Sequence, residues 1–255
     1  MIAFRYDQSF EGLLTALFDA YSRREFPERL LSPGEVPPLF VESPHEVLSD
    51  PVKAARVWKG VRRRLKQGVC NMLLQVWLSE LPGSDELLFR YLRKVFDARD
   101  AVSVVTDFTD KDVLETQQIA RKVDNEREHL LQFVRFQKTA DGIYFAPVAP
   151  IYNVLPLTTR HFAARFADQP WLIYDLKRHY GYYYDLKSPV EVQMADESGL
   201  MDGQLDASRL APGEQLFQKA WKNYTVALTI RERLNPKLQR QFMPRRFWKY
   251  MPETS

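Results

Sequence analysis

The tightest constraint on the fold is a pair of turn-punctuated runs between Arg127 and Asp185. Phe133 to Gln137 and Ile143 to Val148 are rich in aromatic and β-branched residues, and Asp141-Gly142 lies between them. That dipeptide tolerates the positive φ of a tight hairpin turn, so the spacing predicts two antiparallel strands. A strand-like Trp171 to Leu176 is followed by a turn at His179 to Gly181, and Tyr182 to Leu186 returns the chain as a second hairpin. Alternation places Tyr182 and Tyr184 on one face of that hairpin and Tyr183 on the other. Between the hairpins, Thr158 or Thr159 can cap a helix carrying Phe162, Ala163 and Phe166, which Pro170 stops.

Helices flank this core. Ile2, Phe4 and Tyr6 alternate as a short strand, and Asp7 or Ser9 then starts a helix whose stripe is Phe10, Leu13, Leu14, Leu17, Phe18 and Tyr21. The five prolines from Pro27 to Pro44 predict an extended connection enclosing one short strand at Leu39 to Val41. Asp50-Pro51 opens a helix through Ala54, Val61 and Leu65, with Gly68 expected to interrupt it. A helix over Val69 to Leu81 is closed by Pro82-Gly83, and Ser84 or Asp85 caps another with Leu87, Leu88, Tyr91, Leu92, Val95 and Phe96 in register. Lys111 or Asp112 begins the helix that delivers the chain into the first hairpin.

Beyond the second hairpin, Val190 to Met194 alternates as a last strand, and Ala195 to Gly213 reads as an exposed loop. Glu214 to Leu234 then predicts a long helix with Leu216, Phe217, Ala220, Trp221, Tyr224, Ala227 and Leu228 facing the core, ended by Asn235-Pro236. The expected fold is α+β: one domain over residues 1–255, with a helix-rich first half and a hairpin-rich second half. Its sheet is expected to be mainly antiparallel, of hairpin-linked strands packed with N-terminal and C-terminal helices.

Two cationic groups carry chemistry. At the C-terminus Arg231, Arg233, Lys237, Arg240, Arg245, Arg246 and Lys249 interleave with Phe242, Phe247, Trp248 and Tyr250. Cations neutralise phosphates and aromatic faces stack on exposed bases, a mixture suited to single-stranded or distorted nucleic acid. The opposing reading is a tail pinned by its rings, with its cations solvated or paired. Arg62, Arg63, Arg64 and Lys66 form the second group at a helix end, where they complement the helix dipole. The second hairpin adds Lys177, Arg178, His179 and its tyrosines. The candidate nucleic-acid-binding residues are therefore Arg178, Tyr182, Arg240, Arg245, Arg246, Trp248 and Lys249.

Other chemistries find less support. One cysteine, Cys70, allows no intrachain disulfide framework and no thiolate cage, suits a reducing cytoplasm, and reads as a core residue. No apolar run approaches the roughly 20 residues that span a bilayer, so a cytoplasmic chain with no membrane partner is expected. Glu126-x-x-His129 has metal-ligand spacing on a helix, but its only repeat, Glu42-x-x-His45, lies among prolines, so no metal and no cofactor is expected. Asp168, Asp175 and Asp185 flank the hairpin and helix ends, where two acids can hold Mg²⁺ or simply cap turns.

Several blocks resemble a known family. FVRF at 133–136, YFAP at 144–147, NVLP at 153–156, HFAARFADQPWLIYDLKR at 161–178 and NPKLQRQFMPRRFWKYMPE at 235–253 resemble the DUF4130 family of DNA repair or DNA metabolism proteins. FRYDQSFEGLLTALFDAY at 4–21 extends the resemblance over nearly the whole chain. The resemblance implies a companion of a radical SAM DNA-modifying protein, fused in some members to a uracil-DNA glycosylase-like domain, and it brings no catalytic residues. Radical SAM chemistry needs three cysteines, so it would belong to the partner. The family pattern before NVLP often has an acid and a histidine where this chain has Pro150-Ile151-Tyr152-Asn153, so no acid–base role transfers there. The expected function is a nucleic-acid-binding or partner-binding accessory in DNA repair or metabolism. A metal-assisted nuclease or base-processing enzyme acting on DNA, and a protein-only scaffold, remain the alternatives.

Overall fold

The computed structural model describes residues 1–39, 41, 43–195, 200–201 and 204–254. They form two compact units, Met1–Asp124 and Asn125–Ser255.

In the first unit, β1 (Ala3–Arg5) is the centre of a three-stranded sheet, parallel to β2 (Arg29–Leu31) on one side and to β3 (His45–Glu46) on the other. Ser9 caps α1 (Phe10–Arg23) by accepting the Gly12 N–H at 2.8 Å, and Asp50 caps α2 (Pro51–Arg64) by accepting from Val52 and Lys53. Then come α3 (Gln67–Leu78), α4 (Ser84–Asp97) and the five-residue α5 (Ala101–Val105). Leu13, Leu14 and Leu17 of α1, Ala54, Val57 and Val61 of α2, and Leu87, Leu88 and Leu92 of α4 are buried, each helix presenting one stripe. Every such large side chain contributes about 1.5–3 kcal/mol on burial.

Two local expectations in this unit need correction. The strand after Pro27 is Arg29–Leu31, which has Leu30 and Leu31 to bury beside β1, whereas Leu39 follows two prolines that cannot donate to a ladder and is 97% exposed in a turn. Phe40 lies outside the described residues. The break between α2 and α3 falls at Leu65, which turns inward in extended backbone, and Gly68 sits inside the first turn of α3.

α6 (Lys111–Phe133) runs across the boundary between the units and leads to β4 (Gln137–Lys138), β5 (Tyr144–Val148), α7 (Thr159–Arg165), β6 (Trp171–Asp175), β7 (Tyr180–Tyr184) and β8 (Pro189–Val192). The five strands lie in the order β4-β5-β6-β7-β8. Both expected turns form hairpins, β4/β5 around Gly142 at φ 87° and β6/β7 around His179 at φ 55°, but the first strand, expected over Phe133 to Gln137, is only Gln137–Lys138 because Phe133 is still in α6. The sheet is nonetheless mixed: β5 and β6 are parallel, in register from Tyr144↔Trp171 to Val148↔Asp175. The reason is α7, which carries the chain back along the sheet before β6, making one βαβ unit that the sequence reading took as absent. At Gly181 an added Cβ would lie 2.4 Å from the Ile173 carbonyl oxygen, so β7 approaches β6 as closely as only glycine permits.

β9 (Leu200–Met201) and β10 (Gln204–Leu205) pair antiparallel within the expected loop. α8 (Glu214–Leu228), α9 (Pro236–Phe242) and α10 (Arg245–Trp248) close the chain. α8 is shorter than expected and contains no buried residue, so its apolar stripe does not face the core. Asn235-Pro236 does not end a helix; it opens α9, with the Asn235 side chain accepting from the Leu238 N–H at 3.0 Å and proline at the first helical position. No helix among the described residues is long and apolar enough to cross a membrane.

Candidate nucleic-acid interface

Because β5 and β6 are parallel and in register, the loop after β5 and the turn after β6 leave the sheet at the same end. Asp175, fully buried at the end of β6, accepts the backbone N–H groups of Lys177 at 2.9 Å and Arg178 at 3.3 Å and pairs with the Arg178 guanidinium at 2.8 Å. The same guanidinium donates to the carbonyls of Pro150 at 3.2 Å and Ile151 at 3.1 Å, and Lys177 Nζ also reaches Ile151 O at 2.9 Å. Tyr180 donates to Asn153 in this loop. Its phenol pKa is raised, chiefly by burial and then by the nearby Tyr182 and Asp175.

The loop is tied to α6 from its other side. Ile151 N–H donates to Glu126 Oε1 at 2.8 Å, and Glu126, only 3% exposed, pairs through its other oxygen with Arg246. His129 Nδ1 stands 3.8 Å from that oxygen, beyond hydrogen-bond reach. Arg178 and Arg246 are thus joined through Glu126 and Ile151 in one network, and both are engaged by protein partners. A buried carboxylate needs a paired cation, and each arginine meets that need.

The remaining candidates divide by exposure. Phe247, Tyr250 and Met251 are buried, Phe247 lying 5.5 Å from Phe133 and 5.9 Å from His129 between ring centroids, and Glu253 pairs with Arg135 at 2.6 Å. Trp248 is half-buried with its Nε1–H on the Met243 carbonyl at 3.0 Å. The pinned-tail reading holds for these residues. Arg240, Arg245 and Lys249 are exposed; Arg240 bonds the Pro236 carbonyl, Arg245 lies over the Trp248 ring at 5.8 Å and Lys249 over Tyr250 at 4.8 Å. Tyr182 is half-buried on β7, donates to Glu191 at 3.3 Å, and has its pKa pushed up to about 12 by burial and that carboxylate.

The surface that sequence reasoning missed is α8. Phe217, Trp221 and Tyr224 follow i, i+4, i+7 spacing on one face, with exposures of 73%, 39% and 55%, and the last two rings stack at 5.7 Å. Phe242 of α9 is 65% exposed. From Glu214 to Lys249 the chain places nine of its 36 Lys and Arg but only two of its 33 Asp and Glu. A protein with a formal net charge of only +3 therefore owes its positive balance to this segment. The signal was available: the same amphipathic period describes a helix packed on a core and one that presents its rings to a partner.

Acids do not gather into a catalytic pair around Asp175. Asp185 is exposed and accepts the N–H groups of Lys187 and Ser188, and Asp168 precedes β6, so both lie beyond the end of the β6/β7 hairpin opposite Asp175. Among the described residues no group of three or more His, Cys, Asp or Glu is placed to hold a metal ion. Glu42 of the second E-x-x-H repeat lies outside the described residues. Cys70 is buried, and burial raises its thiol pKa.

A family model described as a domain of unknown function, DUF4130, matches residues 82–253, well over half of the chain. No curated protein matches. Among solved structures, a pGpG-specific phosphodiesterase, PggH, from Vibrio cholerae aligns over 89% of this chain and 99% of its own, at 11% identity and a TM-score of 0.31.

Proposed function

The chain belongs to the DUF4130 family, and from that premise we propose that it is a nucleic-acid-binding accessory of DNA repair or DNA metabolism. The contact surface is the segment from Glu214 to Lys249. The observation that carries this is the solvent exposure of Phe217, Trp221, Tyr224 and Phe242 among the many cations and few acids of α8 to α10. Exposed rings offer stacking worth about 1–3 kcal/mol per base, and the cations release counterions from phosphates. Unstacked bases are needed for this, so single-stranded or distorted DNA is the preferred ligand. Arg240, Arg245 and Lys249 supply phosphate contacts, while Arg178 and Arg246 hold the supporting loop. Tyr182 of β7 is a secondary contact.

A second reading rests on the aliphatic residues of the same segment. Leu216, Val226, Leu228, Ile230 and Leu234 are exposed, and aliphatic side chains give a base little to stack on. They suit a protein surface, and the radical SAM DNA-modifying protein implied by the family resemblance is the partner this reading names.

The test is salt-dependent binding of labelled single-stranded, double-stranded and uracil-containing DNA, with Arg240, Arg245 and Lys249 changed together to alanine. Loss of three phosphate contacts lowers the single-strand salt slope by about 2. No binding at low salt to any of these DNAs refutes the nucleic-acid reading and leaves the docking one.

A further inference from the structure

The first unit has its own ring-lined pocket, independent of the C-terminal segment. It is an open groove of about 550 Å³ between α1, α2 and α4, lined by Phe18, Tyr21, Val57 and Phe96, with Ser22 and Arg56 at its polar edge. Such a volume falls within the range of small-molecule sites. Tyr21 is fixed in place: its hydroxyl donates to Asp97 at 2.6 Å, and its ring meets Phe96 and Phe26 edge-on at 6.1 and 5.1 Å. At Gly60 an added Cβ would meet the Phe96 ring at 3.1 Å, so α2 closes directly onto that wall.

The cations around the pocket are concentrated on α2. α2 carries Lys53, Arg56, Lys59, Arg62, Arg63 and Arg64 and no acid. Lys53 is paired with Asp19 at 2.8 Å, and Arg64 bonds the carbonyls of Val95 and Ala98. Arg56 instead rests over the Phe18 ring at 5.6 Å, exposed and with no acid partner among the described residues. Arg63, seven residues on, shares that helix face and is likewise exposed without one. Helix-dipole complementarity accounts for cations in the last turn, but not for Arg56 in the middle of α2.

We infer that this pocket takes one nucleotide, its base against Phe18, Tyr21 and Phe96 and its phosphate on Arg56. A planar ring matches the aromatic walls, and an anion matches Arg56, the cation among the described lining residues. A free mononucleotide and a nucleotide within a single strand share this chemistry.

Calorimetric titration of the full chain tests it, using AMP, GMP, CMP, UMP, adenosine, inorganic phosphate and a short single-stranded oligonucleotide. The variants are Arg56→Glu, Ser22→Trp, which fills the mouth from an exposed position, and Trp221→Ala on α8. The expected result is that nucleotides bind more tightly than adenosine or phosphate. Arg56→Glu then weakens them at least tenfold, Ser22→Trp abolishes mononucleotide binding, and Trp221→Ala, which weakens only the oligonucleotide, leaves mononucleotide binding unchanged. Tighter binding of the oligonucleotide, in competition with mononucleotides and with the same response to Arg56→Glu and Ser22→Trp, assigns the pocket to a strand; absence of competition assigns it to the free nucleotide. If no nucleotide or oligonucleotide binding responds to Arg56→Glu and Ser22→Trp, or phosphate alone binds as tightly as AMP, the inference is overturned. Loss of the Trp221 effect on DNA binding would instead strike only at the C-terminal surface.

Discussion

Arg245 and Arg246 are adjacent, equally basic and indistinguishable by composition, yet they stand in opposite surroundings, one exposed and one paired with a buried acid. Arg246 pairs with Glu126, a carboxylate 3% exposed that also accepts the Ile151 N–H at 2.8 Å. Arg246→Ala leaves that carboxylate buried with one backbone donor and no cation. Removing one partner of a buried pair costs about 3–5 kcal/mol. Arg246 is itself 34% exposed, so water enters beside the pair and the estimate falls to about 2–4 kcal/mol. Arg245, exposed over Trp248, should change stability by no more than about 0.5 kcal/mol when cut to alanine. Urea unfolding followed by tryptophan fluorescence compares the two directly. Arg246→Ala is expected to lower the midpoint clearly while Arg245→Ala leaves it near wild type, with the order reversed for loss of DNA affinity once folded protein is compared. Equal midpoints for the two variants would refute the structural role given to Arg246.

Three further outcomes follow from the same geometry. Gly181→Ala drives a Cβ to 2.4 Å from the Ile173 carbonyl, so β6 and β7 must part, and chemical denaturation should register a loss of about 2 kcal/mol or more. Trp221→Ala on α8 should leave thermal stability within about 0.5 kcal/mol of wild type, while weakening single-strand binding by about 1–3 kcal/mol; a large drop in melting temperature would show that the helix packs after all. In the first unit the Asp110 carboxyl is held below its ordinary pKa by its hydrogen bond to Lys94, and Asp112, which burial alone would raise, is held down by Arg90 and Lys94. A lowered folded-state pKa gives stability present above the unfolded value near 3.9 and lost as pH falls through the folded one. Melting curves from about pH 5 downward should therefore fall less steeply for Lys94→Met than for wild type, and parallel curves would contradict the assignment.

What the sequence disclosed was mostly local. Ser9, Asp50-Pro51 and Asp141-Gly142 marked ends and turns because capping and positive φ are properties of a few adjacent residues. Stripes in α1 and α4 marked their buried faces for the same reason. The parallel pairing of β5 with β6 was not legible, since α7 has only seven residues and the two hairpins dominate the pattern around it. Nor was the fate of α8, because periodicity shows that a helix has an apolar face without saying what covers it. At the site, residue type put Arg178 and Arg246 in one group of cations, but the acids that claim them are Asp175, three residues from Arg178, and Glu126, 120 residues from Arg246. Only the fold joins the distant pair.

The central claim is that nucleic acid lies on the segment from Glu214 to Lys249. Ultraviolet cross-linking of the full chain to a single-stranded oligonucleotide containing 5-iododeoxyuridine, with the attached peptides identified by mass spectrometry, asks this most directly. Adducts at Phe217, Trp221, Tyr224 or Phe242 are the predicted result. Adducts confined to other segments, or none under conditions where the oligonucleotide is bound, would contradict the account.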